Sequence, residues 1–146
     1  MHLTIKNLVV HLSSAETTVS HDPELQILHL TSRGNISSSL YRLGLTTALQ
    51  VTQKENLHYW ITDNLEAAYI SPTDQDWFNE VIAPALANST DLKKMALIEP
   101  KDVYNRMILE EMIEMFMHTF PFPMQFFNDV PSAIEWFHDS NSLLLL

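Results

Sequence analysis

Met95-Ala96-Leu97-Ile98 is a run of four apolar residues, entered from Lys93-Lys94 and left through Glu99-Pro100. A strand with one wet face alternates apolar and polar residues, so an unbroken run signals burial on both faces. Such a strand needs a layer of structure above it and another below. That requirement points to the middle of a parallel sheet clad in helices.

The rest of the chain supplies the other elements. Leu3 to Leu12 is strand-like, with Leu3, Ile5, Val10 and Leu12 as its apolar positions. Residues 17–31 read as an antiparallel hairpin, with turn chemistry at His21-Asp22-Pro23-Glu24 and Gly34 closing the second strand. Ser37, Ser38 and Ser39 offer N-caps for a helix to about Glu55, with Leu40, Leu43, Ala48 and Val51 on one side and Gly44 among them. A mid-helix glycine costs about 1 kcal/mol relative to alanine, so close approach to the sheet is expected at Gly44. His58 to Thr62 is a short strand ending at Asp63. In Ser71-Pro72-Thr73-Asp74 the serine can cap, proline suits the first helical position, and Asp74 takes the acid place of a capping box. The helix that follows turns Trp77, Phe78, Val81, Ile82 and Leu86 inward and is interrupted by Pro84, where a kink or break is expected. Asp102 caps a helix to about Met117, Met124 to Phe127 forms a last strand, and Val130 to His138 a last helix. The order predicts an α/β fold: a mixed, mostly parallel β-sheet with helices packed on it and an N-terminal antiparallel hairpin. One domain is expected over residues 1–139, followed by an apolar tail at 140–146.

Several kinds of chemistry are excluded by what the chain lacks. The only two glycines, Gly34 and Gly44, are separated by nine residues, so no glycine-rich nucleotide or phosphate loop exists. With no cysteine there is no disulfide, thiol nucleophile or cysteine-ligated metal. Eighteen acidic against eight basic residues, a net charge of −10, argue against nucleic acid, whose affinity comes largely from Lys and Arg at phosphates. No apolar run approaches the ~20 residues that span a bilayer, and Met1 to Leu12 lacks a continuous apolar core of the signal-peptide kind. A cytoplasmic protein is expected. Seven histidines are present, none paired at i, i+4, so neither a metal nor another cofactor is expected.

Three sets of residues are candidates for function. Asp63 and Glu99 follow strands, where two carboxylates could divide general acid and base roles, or simply sit well at helix N-termini. In the helix around Asn105 to His118, Ile108, Leu109, Met112, Ile113, Met115 and Phe116 form an apolar arc wider than the ~100° stripe of an ordinary surface helix, with Met107 and Met117 outside it. The arc fits a well-buried helix or a contact surface built on Ile108, Met112, Met115 and Phe116, since methionine adapts to varied partners. Leu143 and Leu144, in the terminal run of four leucines, pose the same question. A protein partner, most simply a second copy in a homo-oligomer, is the expected occupant. Ser71 and Thr73 form the third set, as helix cap or phosphate acceptor.

Residues 58–137 resemble a bacterial group of small STAS/SEC14-type proteins with the SpoIIAA-like fold. The resemblance is carried by Tyr59-Trp60-Ile61-Thr62-Asp63, Ile70-Ser71-Pro72-Thr73-Asp74-Gln75-Asp76-Trp77, Pro84, Lys94-Met95-Ala96-Leu97-Ile98, Met124-Gln125-Phe126-Phe127-Asn128 and Ala133-Ile134-Glu135-Trp136-Phe137. It implies a non-enzymatic domain working in regulation through protein contacts. STAS domains similar to this act as anti-sigma-factor antagonists, switched by serine phosphorylation at the start of a helix after a central strand. Here that place falls on Ser71-Pro72-Thr73, with proline where the switch serine would stand, and Leu65 replaces the arginine of the group's Asp-x-Arg after Asp63. The SEC14 side of the group implies a different use, an enclosed cavity lined by methionines and aromatics for a small apolar or lipid-like ligand.

Overall fold

The computed structural model describes residues 8–68, 70–114 and 120–139. In chain order the elements are β1 (Val9–Ser13), β2 (Thr17–Asp22), β3 (Ile27–Gly34), α1 (Ser38–Glu55), β4 (Tyr59–Ala67), α2 (Pro72–Trp77), a π-helical turn (Phe78–Ile82), α3 (Ala83–Asn88), β5 (Lys94–Ile98), α4 (Val103–Glu114), β6 (Met124–Phe127) and α5 (Val130–Phe137). The strands lie side by side in sequence order, antiparallel from β1 to β3 and parallel from β3 to β6. The chain is therefore an α/β protein with a mixed sheet and helices packed on it. The segment Leu3–Asn7, the helix end at Met115 and Phe116, and the leucine tail lie outside the described residues.

Successive parallel strands step across the sheet in one direction, so right-handed crossovers put every intervening helix on the same face. The core divides accordingly. On that face Leu28, Leu30, Trp60, Met95 and Leu97 meet Leu45 and Ala48 of α1, Phe78 and Ile82 of the π turn, Leu86, and Leu109, Met112 and Ile113 of α4. The other face falls to α5, which no longer has to cross over: Ala133, Ile134 and Phe137 cover Ile27, Ile61, Ala96 and Ile98. The apolar run of β5 is thus shared, Met95 and Leu97 to one layer and Ala96 and Ile98 to the other.

Buried Lys94 completes the α5 layer. Its ammonium donates to the carbonyl of Trp136 at 2.6 Å, with Phe137 O at 3.5 Å and Asp139 O at 3.4 Å, and lies 4.9 Å from the Trp136 ring centroid. A cation on the last carbonyls of a helix is stabilising because the helix dipole is negative there.

Both glycines have local reasons. Gly34 ends β3 with φ +63°, in the left-handed region. At Gly44 a Cβ would stand 3.2 Å from Thr17 Oγ1, which is the close approach of α1 to the sheet. The same phase turns Leu43 outward with Thr47 and Gln50, so Leu43 is half exposed and not among the inward residues. Val81 likewise faces out, while Phe78, Ile82 and Leu86 are buried. Pro84 is accommodated without a break. Its missing N–H and its ring conflict with the carbonyl four residues back, and the helix widens just before it, Ala83 N–H donating to Phe78 O.

Candidate functional site

The two strand-end acids are neighbours in the sheet but turn to opposite faces. Asp63 stands opposite Ile98 in the sheet, on the α5 face, and pairs with His29 at 3.9 Å. Its Oδ1 accepts from Leu65 N at 3.1 Å. The His29 contact leads in holding the Asp63 carboxyl below the usual range, against the effect of burial and with help from Leu65 N–H. Glu99 turns to α4, where Arg106 Nη1 is 3.7 Å away. Each acid has its own basic partner, His29 for Asp63 and Arg106 for Glu99. Asp129, the third acid after a strand, caps α5 by accepting from Ser132 N at 2.8 Å.

Asp63 instead organises β4. The β3–β4 register runs Thr31↔Asp63 and then Arg33↔Glu66, so Asn64 and Leu65 together stand opposite Ser32. This is a β-bulge, and the Asp63 carboxylate ties down its Leu65 N–H. Strand β4 consequently runs to Ala67, well past the expected end at Asp63. The bulge residue Asn64 points to the α1 face and is 5% exposed, and its Nδ2 has no hydrogen-bond acceptor among the described residues.

Asn64 lines a cavity of about 50 Å³ near the C-terminal ends of β3, β4 and β5. Its walls are largely apolar, among them Leu30, Leu45, Phe78, Leu97, Met112 and Ile113. Thr17, Ser32, Tyr41 and Thr62 add hydroxyls, and half-buried Ile36 and Ile70 carry the lining toward the surface between the β3–α1 and β4–α2 connections. The Thr62 hydroxyl already accepts from Trp60 Nε1 at 2.6 Å, and the Thr17 hydroxyl donates to Thr31 O at 3.0 Å.

Beside the cavity the N-terminal turns of α1 and α2 are clamped together. Ser71 caps α2, its Oγ accepting from Asp74 N at 3.2 Å. The return half of a capping box is absent, because the Asp74 side chain reaches α1 instead: its Oδ1 accepts from Ser38 Oγ at 2.6 Å and Arg42 Nε at 3.0 Å. Arg42 also stacks over Trp77, 5.2 Å from the ring centroid, and Tyr41 meets that ring edge-on. Burial opposes ionisation of Asp74, but the bonds from Ser38, Arg42 and Ser71 outweigh it and hold the carboxyl below the usual range. Burial, and then the Asp74 charge, push the Tyr41 phenol well above its ordinary value. Of the two hydroxyls read as cap or acceptor, Ser71 is half-buried in its cap and Thr73 is exposed. Asp74 could be read from sequence only as a cap residue, since its partners lie on another helix.

On α4, Met112 is 5% exposed and Ile108 half-buried against the same core, so their side chains are covered by this chain itself. The exposed apolar side chains are others: Val103 (59%), Tyr104 (79%) and Met107 (51%), at i, i+1 and i+4 on the first turns. The start of α4 is fixed in place by Asn105 Nδ2 donating to Ala67 O at 3.2 Å and by the Lys101–Glu66 and Arg106–Glu99 pairs. Met107 had fallen outside the apolar arc, and Val103 and Tyr104 precede it.

Among the described residues, no group of three His, Asp or Glu side chains is arranged to hold a metal ion, and no helix is long and apolar enough to cross a membrane. Comparison of the chain with protein-family models, with curated proteins and with solved structures finds no match.

Proposed function

We propose that the chain is a non-catalytic, STAS-like binding domain whose partner is protein, and that the contact is made by the first turns of α4. The observation that carries this reading is the grouping of Val103, Tyr104 and Met107, each more than half exposed, on a helix start that polar contacts tie to the strand ends. Interfaces are enriched in tyrosine and methionine, and a preorganised anchor loses little entropy on binding. A net charge of −10 favours protein over nucleic acid as the partner. The occupant is a second copy, packed about a two-fold axis so that Tyr104 of each chain meets Met107 of the other.

Light scattering coupled to size-exclusion chromatography, run across a concentration series, tests this. The expected result is twice the chain mass at high concentration, reverting to a monomer in Tyr104→Glu. A monomer throughout, or a dimer indifferent to Tyr104→Glu, would overturn the proposal.

A further inference from the structure

We propose that the cavity floored by Asn64 binds a small neutral molecule bearing one hydrogen-bond acceptor, a compact carbonyl compound such as a ketone. This site is separate from the exposed start of α4, so each can fail without the other.

The argument begins with the orphan donor. An amide N–H withdrawn from water without an acceptor is destabilising by roughly 1–3 kcal/mol. The fold nevertheless leaves the Asn64 Nδ2 without a partner among the described residues, on a bulge that sets Asn64 in the cavity wall and that Asp63 fixes through Leu65 N–H. Bulges are found next to binding sites because the extra residue re-aims a side chain. The remaining wall is chiefly apolar, which is how ligand sites gain affinity, with a few placed polar groups supplying orientation.

Charge selects a neutral ligand. Among the described residues no carboxylate, lysine or arginine lines the cavity, so none of them offers a cation a counter-charge there. An anion is disfavoured by Asp74, whose charge is felt at Tyr41 in the cavity wall. Size restricts it further: about 50 Å³ accommodates on the order of four water-sized spheres. A molecule of a few heavy atoms fits, and an entire lipid chain does not.

The test uses the full chain with its methionine methyls isotopically labelled, because Met95 and Met112 both line the cavity. Acetone is titrated as the acceptor-bearing probe and 2-methylpropene as the isosteric hydrocarbon, each against wild type and Asn64→Leu. The expected result is saturable shifts of the Met95 and Met112 methyls with acetone, bound about tenfold more weakly by Asn64→Leu. Binding of 2-methylpropene should survive the substitution undiminished. If Asn64→Leu fails to fold, the Asn64 side-chain amide of wild type is the readout: its proton should move downfield with the ketone and not with the hydrocarbon. No saturable methyl shift with acetone, or equal ketone binding by both proteins, would overturn the proposal, as would an amide proton indifferent to the ketone.

Discussion

Replacing Gly44 by alanine sets two effects of similar size against each other. In a helix interior alanine is favoured over glycine by about 1 kcal/mol. Against that, the new Cβ would lie 3.2 Å from Thr17 Oγ1, closer than a comfortable contact, with Leu30 Cδ1 at 3.7 Å. The sign depends on whether Thr17 can yield. It is buried, its hydroxyl donates to Thr31 O at 3.0 Å, and its backbone N–H donates to Ser14 Oγ at 3.0 Å. Thr17 is held from both ends, so α1 must lift, and overpacking of that kind costs about 1–3 kcal/mol. The expected net effect of Gly44→Ala is a loss of up to about 2 kcal/mol.

A double-mutant cycle isolates the cause. Thr17→Ala removes the obstructing hydroxyl and methyl, so in that background Gly44→Ala should become stabilising by about 1 kcal/mol, the bare helix preference. Urea unfolding followed by circular dichroism measures all four corners. A gain in stability for Gly44→Ala alone, or an identical effect in both backgrounds, would refute the claim that contact with Thr17 is what requires glycine here.

Three other outcomes follow from the same geometry. Asp74 has its pKa lowered in the folded state, so its ionised form contributes stability that is present above the ordinary value of 3.8 and is lost as pH falls through the folded pKa. The stability gap between wild type and Asp74→Asn should hold from pH 7 to 5 and narrow below about pH 4, read from thermal melts; an unchanging gap contradicts the Ser38–Asp74–Arg42 clamp. Ser71→Ala should lose about 1 kcal/mol of stability as a cap is removed, and Thr73→Ala should stay within about 0.5 kcal/mol, so equal losses in denaturant would count against Ser71 as the cap. Ile134→Ala, in the centre of the α5 layer, should cost about 2–5 kcal/mol in urea unfolding; a loss below about 1 kcal/mol would mean that α5 is not what seals that face.

What could be read from sequence was whatever is written in local periodicity or turn chemistry. The run Met95–Ile98, the hairpin turn at Asp22-Pro23, the cap at Ser71 and the close approach of Gly44 each depend on neighbours in the chain, and each is found. The misplaced side chains depend on distant elements. Lys94 looked like the polar flank of a strand until α5 folded over it. Leu43 and Val81 are apolar on helices whose rotation is set by Gly44 and by the π turn, which propensity does not encode. Of the candidate sites, Ser71 was legible as a cap. Asn64 was not, because a bulge adds one polar residue to a strand without altering the composition around it.

The cavity itself follows from the topology. Neighbouring strands are about 4.8 Å apart, whereas packed helices need about 8–10 Å. Crossovers that advance one strand at a time and always return on the same face must therefore splay. Here α1 shifts back over β2 and β3, and even reaches β1, which makes the antiparallel hairpin the extra floor that α1 requires. A space is left among α1, the π turn and α4 above β3, β4 and β5. The Asp74–Arg42 clamp closes the gap at the helix N-termini, and the β4 bulge lies beneath it, with Asn64 turned upward. An open sheet with helices on both faces would place its crevice at a switch point in strand order; this sheet has none among its parallel strands, and the opening lies instead among α1, the π turn and α4, all in one layer.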